Sequence, residues 1–204
     1  MMELLVVRHG ESQADLEDRH EGRADFELTP LGERQAGLAA AWIAKRYRPH
    51  EILSSPLKRA ARTAEAIAQE CKLTVGYDEE LMEWDNGLLA GLKREEARLR
   101  FPLPVSGRQP YDTFADTESE IQFRARAEAF LSKLLSSQRP TSDLRRICIV
   151  SHGKMINMLF HSLMNLPFHT ELSLATGDTG VHLWRIDGSR RRIVFTNAQE
   201  HLRN

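Results

Sequence analysis

The sequence predicts an α/β fold: a doubly wound, mostly parallel sheet held in a three-layer α/β/α sandwich. Three observations carry that reading. Short apolar runs of strand length alternate with helical patterns along the chain. The run at residues 4–7 (LLVV) is continuously apolar rather than alternating, as in a central strand covered on both faces. Three of the strand patterns also run straight into polar residues, where open α/β sheets place their ligands.

Residues 4–7 form the first strand; Glu3 before them and Arg8-His9 after them argue against a signal peptide. Thr29-Pro30 opens a helix over 30–47 whose apolar stripe is Leu31, Leu38, Trp42 and Ile43. Residues 51–53 are a short second strand, Pro56 begins a helix over 56–70, and 74–77 are a third strand. Helices follow at 93–100 and 118–136, the second opened by a capping box of Thr117 and Glu120. Residues 146–150 are the fourth strand and lead into a helix over 153–165, stopped by Pro167. Residues 180–196 read as two strands about the turn Asp187-Gly188-Ser189, with Arg190-Arg191-Arg192 solvated there. The segment 101–117 contains Pro102, Pro104, Gly107 and Pro110 and is too long for a plain connection, so it reads as a lid or substrate wall. Neither side of it has its own strand set, and 1–204 is read as one domain.

A chain of 204 residues can bury one continuous core. Its 28 basic and 29 acidic residues nearly cancel, which argues against a nucleic-acid or anionic-membrane partner. The basic side is lopsided, with six Lys and 22 Arg. Most of that excess reads as composition, although the guanidinium fork suits carboxylate and phosphate. Cys71 and Cys148 stand alone, in a helical pattern and an apolar strand pattern respectively, so neither a disulfide framework nor a zinc site is expected. No run approaches the roughly 18 apolar residues of a membrane span. A cytoplasmic location is expected; the oligomeric state is left open, and a homodimer is compatible with the sequence.

The three polar strand ends are Arg8-His9-Gly10-Glu11-Ser12, Ser54-Ser55-Pro56-Leu57-Lys58-Arg59 and Ser151-His152-Gly153. Brought to one crevice, they place two imidazoles and two guanidiniums beside helix N-termini, an arrangement suited to a phosphoryl group. Metal binding is disfavoured, because no third ligand accompanies the two His and each would sit near an Arg. A Ser–His–Asp triad would have Ser54, Ser55 or Ser151 available but lacks the G-x-S-x-G elbow. A nucleophilic His remains: neutral imidazole attacks phosphorus and leaves readily from the phosphoramidate.

The R-H-G-E string at 8–11, S-P-L-K-R-A at 55–60 and S-H-G at 151–153 resemble the histidine phosphatase superfamily, in its phosphoglycerate mutase-like branch. So do Leu28-Thr29-Pro30-Leu31-Gly32, Thr63-Ala64, Leu81-Met82-Glu83 with Gly87 and Gly91, and Asn197 to His201-Leu202. The resemblance implies His9 as the nucleophile that becomes phosphohistidine, with Arg8, Arg59 and His152 as the phosphate clamp. It places Glu83 as general acid and base, a role that needs a carboxyl protonated when substrate is bound; burial beside an anionic phosphate favours that form. Gly10 and Gly153 are expected to let the backbone approach the anion. No metal or organic cofactor is implied. Ser12, Asp15, Trp84 and Lys154 are assigned to substrate binding; Lys154 either contacts substrate or faces solvent. Asp15 stands where many relatives carry Asn, Ala90 where an acid is frequent, and Asn157 where Arg is. Arg62 reads as structural.

Mutases of this family hand the phosphoryl group back to a sugar acid and use an Arg after the general acid with a basic pair in the lid. Here Trp84 follows Glu83, and 101–117 offers only Arg108, with Arg94 as the single substitute. Trp84 and a short lid imply an open, partly apolar pocket reached by water. The expectation is a metal-independent phosphomonoester hydrolase acting on a small phosphorylated metabolite or on broad substrates. A phosphoglycerate mutase-type transfer is the alternative, and a non-catalytic phospho-ligand binding module the lesser one.

Overall fold

The computed structural model describes residues 1–105, 107–136, 144–168 and 170–203. The strands are β1 (Met2–Arg8), β2 (Glu51–Ser54), β3 (Val75–Tyr77), β4 (Arg145–Ser151), β5 (Val181–Asp187) and β6 (Arg190–Ala198). They form one sheet in the order β3-β2-β4-β1-β5-β6. The first four are mutually parallel, while on the β1 side β5 pairs antiparallel with β1 and β6 antiparallel with β5. The helices are α1 (Gln13–Leu16), α2 (Pro30–Arg46), α3 (Lys58–Cys71), α4 (Arg94–Arg100), α5 (Glu120–Ser136) and α6 (Gly153–Leu163).

Alternate residues of the central strands face opposite layers, as the two-residue period of a strand requires. Leu4, Val6, Ile147 and Ile149 pack with Phe123, Phe130, Met155 and Leu159 of α5 and α6. Leu5, Val7, Cys148 and Val150 pack with Ala40, Ile43, Ala60, Ala64 and Ile67 of α2 and α3. This produces the three layers. Chain leaving β1 enters the α2–α3 layer, whereas chain leaving β4 enters the α5–α6 layer. A crevice therefore opens between the carboxyl ends of these two neighbours, the switch point of a doubly wound sheet.

Three sequence expectations are corrected. In α2, Leu31 and Leu38 are exposed, and the buried face is Gly32, Ala36, Ala39, Ala40 and Ile43. Small residues on α2 meet the equally small Ala60 and Ala64 of α3, so close approach of the backbones, not side-chain bulk, selects the buried face. At α5 the capping box is Ser119 with Gln122, which exchange side-chain acceptors for backbone N–H groups. The Thr117 hydroxyl instead accepts a bond from Arg108 at 2.7 Å. Helix α3 begins at Lys58, two residues after Pro56, and its first N–H donates to the Asp25 carboxylate at 2.7 Å.

Candidate active site

Three chain segments meet at the crevice. β1 ends in Arg8-His9, β2 leads through Ser55 to Arg59 in the first turn of α3, and β4 ends in Ser151 before His152 caps α6. Gly10 is needed here for a reason other than the expected approach to an anion. A Cβ on it would lie 2.6 Å from the Gly32 carbonyl oxygen, so the loop after β1 lies directly against the start of α2. A Cβ at Gly153 would meet nothing within 4 Å.

His9, Arg59 and His152 are buried, at 1%, 0% and 0% exposure, far below what is usual for such side chains. Nδ1–H of His9 donates to the Gly10 carbonyl at 2.7 Å. That bond leaves the Nε2 lone pair as the nucleophilic position. Burial first, then the Arg59 and Arg8 charges, lower the His9 pKa well below the ordinary imidazole value. His152 is lowered in the same way, by burial, Arg59 and His9. Both rings are thus neutral near pH 7, with centroids 5.0 Å apart. His152 Nε2 lies 2.8 Å from the Ser55 hydroxyl.

Three buried nitrogens at this point have no hydrogen-bond partner among the described residues: Arg8 Nε, Arg59 Nε, whose ion pair with Glu21 Oε1 spans 3.3 Å, and His152 Nδ1, which donates in the tautomer whose Nε2 accepts from Ser55. Orphaned buried donors are costly, and their convergence marks a site built to receive acceptor oxygens. The remaining guanidinium nitrogens are tied down. Arg59 donates to the carbonyls of Gly22 (2.8 Å) and Ala24 (3.0 Å), and Arg8 to that of Thr176 (2.9 Å). Arg8 also pairs with Asp178 at 3.3 Å and, more distantly, with Asp15 at 3.9 Å. Burial raises the Asp178 pKa, against the pull of Arg8.

Glu83 is 9% exposed, and its carboxylate accepts N–H bonds from Trp84 (2.8 Å), Lys154 (3.1 Å) and Met155 (3.2 Å). It therefore sits at the N-terminus of α6, on the wall of the same cavity as Arg8. The backbone before it is held by Arg126, which donates to the carbonyls of Glu80 and Met82 at 2.7 Å and of Glu83 at 3.2 Å. Ser12 caps α1 in a capping box with Asp15, and its hydroxyl also donates to Glu21.

The cavity, of about 470 Å³, is lined by Arg8, Asp15, Glu21, Glu83, Arg94, Arg108 and Lys154, among others. Ala14, Trp84, Leu89 and Leu103 also line it, so the pocket is partly apolar, as expected, and strongly charged as well. Trp84 is only 7% exposed and packs edge-on against Phe123, with Arg108 and Lys154 over its ring at 5.4 and 5.1 Å from the centroid. The ring thus serves as a platform for two cations. Arg94 pairs with Asp18 at 3.1 Å. Arg62 lies outside the clamp on the exposed face of α3, paired with Glu33 at 2.9 Å. Among the described residues no group of three or more His, Cys, Asp or Glu is arranged to hold a metal ion.

The strand-end motifs locate His9, Arg8, Arg59, His152 and the string containing Glu83. The sequence reading did not identify Glu21, Asp178 or Arg126. Glu21 and Asp178 come from irregular loops, and Arg126 acts through backbone carbonyls of another segment, so local pattern carries no sign of them. Ser55 was in view only as a disfavoured triad nucleophile and Thr63 as a motif letter without a role; the Thr63 hydroxyl accepts the Gly10 N–H at 3.2 Å.

The profile of the histidine phosphatase superfamily, branch 1, matches residues 4–199. A protein named probable phosphoglycerate mutase GpmB from Salmonella arizonae is 35% identical over 179 residues, covering 85% of this chain and 80% of its own. A mycobacterial glucosyl-3-phosphoglycerate phosphatase solved with VO3 has a TM-score of 0.80 at 27% identity, covering 96% of this chain and 99% of that one. The Entamoeba histolytica phosphoserine phosphatase, solved with 3-phosphoglyceric acid, has a TM-score of 0.77 at 27% identity, covering 99% and 100%.

Proposed function

The chain belongs to the histidine phosphatase superfamily and is an enzyme of the phosphatase type; we propose that it hydrolyses small phosphomonoesters through a phosphohistidine on His9. The observation that carries this reading is the neutral, buried His9 with its Nε2 lone pair beside orphaned donors of Arg8, Arg59 and His152. Nε2 attacks phosphorus while these donors stabilise charge on the equatorial oxygens. The Nε2–P bond forms as the ester P–O bond breaks, and Glu83, in its acid form, protonates the departing oxygen. Glu83 then takes a proton from the water that cleaves the N–P bond, releasing orthophosphate and restoring His9.

Trp84 with its two cations, and the 101–117 segment supplying Leu103 and Arg108 to the cavity, form the wall that receives the rest of the substrate. In this role Lys154 contacts an anionic or polar group distant from phosphorus. No metal or organic cofactor enters the reaction.

The test is release of orthophosphate from p-nitrophenyl phosphate in the presence of EDTA, by the native chain and by His9→Ala. Activity that resists chelation and vanishes in the variant supports the reading. Loss with EDTA, or retention by His9→Ala, overturns it. The relatives named as mutases keep phosphoryl transfer in view as the second reading. It is decided by offering 3-phosphoglycerate with and without 2,3-bisphosphoglycerate: isomerisation without net phosphate release identifies the mutase.

A further inference from the structure

One carboxylate stands inside the clamp. Glu21 follows β1 by a dozen residues, on a loop that Arg59 pins through the carbonyls of Gly22 and Ala24. The loop turns at Gly22 with φ +53°, where a Cβ would collide with the Asn86 side chain at 2.7 Å. This fixes the Glu21 carboxylate against the reacting groups. Oε1 pairs with Arg59 Nε at 3.3 Å and accepts from the Ser12 hydroxyl, while Oε2 lies 3.8 Å from His9 Nε2.

The last contact is unusual. His9 Nδ1 holds its proton against the Gly10 carbonyl, so Nε2 presents a lone pair. Two acceptors, a carboxylate oxygen and an imidazole nitrogen, therefore face each other with no proton between them. A phosphoryl dianion would add further acceptors to that space. A monoanion would bring one P–OH, which can donate to Glu21 Oε2 while phosphorus faces Nε2.

The charges around Glu21 point the same way. β1 contributes Arg8 and the neutral His9, α1 contributes Asp15, and α3 contributes Arg59. The N-terminus of α6 adds the neutral His152, and flanking loops add Glu83, Asp178, Glu11 and Asp25, the last two acting on Asp178 and Arg59 respectively. Even with Glu83 in its acid form, the carboxylates around Arg8 and Arg59 outnumber the two guanidiniums before substrate enters. On the same wall, Arg94 is paired with Asp18 and Arg19 with Glu17, while His20, Arg108 and Lys154 also line the cavity.

We propose that Glu21 makes this site selective for the phosphoryl monoanion, by accepting the P–OH hydrogen bond beside His9. The proposal rests on the hydrolase reading above. The proton remains on the phosphoryl oxygen through both displacements, and the bonds made and broken are those already given. Because the second ionisation of a phosphomonoester lies near pH 6, kcat/KM should fall about tenfold per pH unit above that point.

The test is the pH profile of kcat/KM for phosphomonoesters with different second pKa values, in the native chain and in Glu21→Gln. In the native chain the alkaline limb should move with the substrate's second pKa. In Glu21→Gln the limb should stop following the substrate, with roughly tenfold or greater gain over the native chain near pH 8, two units past that ionisation. A native limb at the same pH for every substrate overturns the proposal, as does a variant whose limb still tracks the substrate. If Glu21→Gln fails to fold by circular dichroism, the native series alone decides between tracking and a fixed limb. Failure here leaves the loss of activity in His9→Ala untouched, whereas activity retained by His9→Ala strikes the hydrolase reading itself.

Discussion

The two ends of β1 each hold a cluster of arginines and carboxylates, and they are built to opposite ends. At its start, Glu3 is 2% exposed and receives two guanidinium forks from the neighbouring strands. Arg146 bonds one oxygen at 2.6 and 2.8 Å, and Arg185 the other at 2.7 and 3.0 Å. Burial raises the Glu3 pKa, but the bonds to Arg185 and Arg146 outweigh it and leave the carboxyl below its ordinary value. Every lobe of this carboxylate is satisfied. At the other end of the same strand, Arg8 and Arg59 keep buried Nε–H groups without hydrogen bonds, and His152 keeps Nδ1. Like residue types thus lock the sheet at one end and wait for an acceptor at the other. Along β1, complete hydrogen bonding, not burial or charge, separates the arginines that lock the sheet from those of the site.

That contrast can be broken by mutation, because groups that lock the sheet should report in stability and groups that face the cavity in turnover. Glu83→Gln keeps the shape of the carboxyl but cannot shuttle a proton, so kcat should fall by about 10²–10⁴-fold in steady-state assays. Removing one fork at the satisfied end, with Arg146→Met, strands part of a buried carboxylate. Denaturant titration should show a loss of about 3–5 kcal/mol, with kcat/KM unchanged. A fall in kcat/KM beyond what unfolding explains would remove the distinction between the two ends.

His182 offers a pH version of the same test. Its Nδ1 accepts the Asn197 N–H at 3.3 Å, its Nε2 lies 3.0 Å from the Thr176 hydroxyl, and burial lowers its pKa to about 4. A depressed folded-state value means the unfolded chain takes up the proton first. The stabilisation is complete above the ordinary value of 6.5 and is lost as pH falls from there towards about 4. On the order of 3 kcal/mol should disappear across that window. His182→Asn should flatten the pH dependence of unfolding, and an unchanged slope would exclude His182 as a source of it. The smallest effect is expected at Asp15, whose carboxylate already closes the Ser12 capping box and stands 3.9 Å from Arg8. Asp15→Asn should preserve or modestly raise kcat/KM, within about tenfold; a large fall would show that Arg8 depends on that charge.

Much of the site was legible in the sequence because its letters lie in short strings at strand ends. Arg8-His9, Arg59 and His152 are placed by the edge of the sheet, so local reading and doubly wound topology suffice to bring them together. Glu21 was not legible: its role comes from Arg59 gripping the Gly22 and Ala24 carbonyls, a contact 37 and 35 residues away in sequence. Arg126 was hidden for a similar reason, since nothing in a helical pattern marks a side chain that pins another segment's backbone. In the fold, strand order and layers follow from apolar continuity, whereas the buried face of α2 does not. Leucine spacing suggested one face, whereas Ala36, Ala39 and Ala40 are the residues buried, Ala40 in the cluster that holds Ala60 and Ala64 of α3. At α5, Thr117 with Glu120 and Ser119 with Gln122 are equally good cap patterns as letters; the Arg108 bond to Thr117 accompanies the choice of the second.

The central claim is covalent transfer to His9 Nε2. Native chain mixed with a phosphomonoester and quenched in alkali within one turnover, then mapped by peptide mass spectrometry, should carry one phosphoryl group on His9. That group should survive base and be lost in acid, as a phosphoramidate is, and should be absent from His9→Ala. A native chain that turns over substrate with no phosphoryl group at His9, or with one at another residue, would contradict the account.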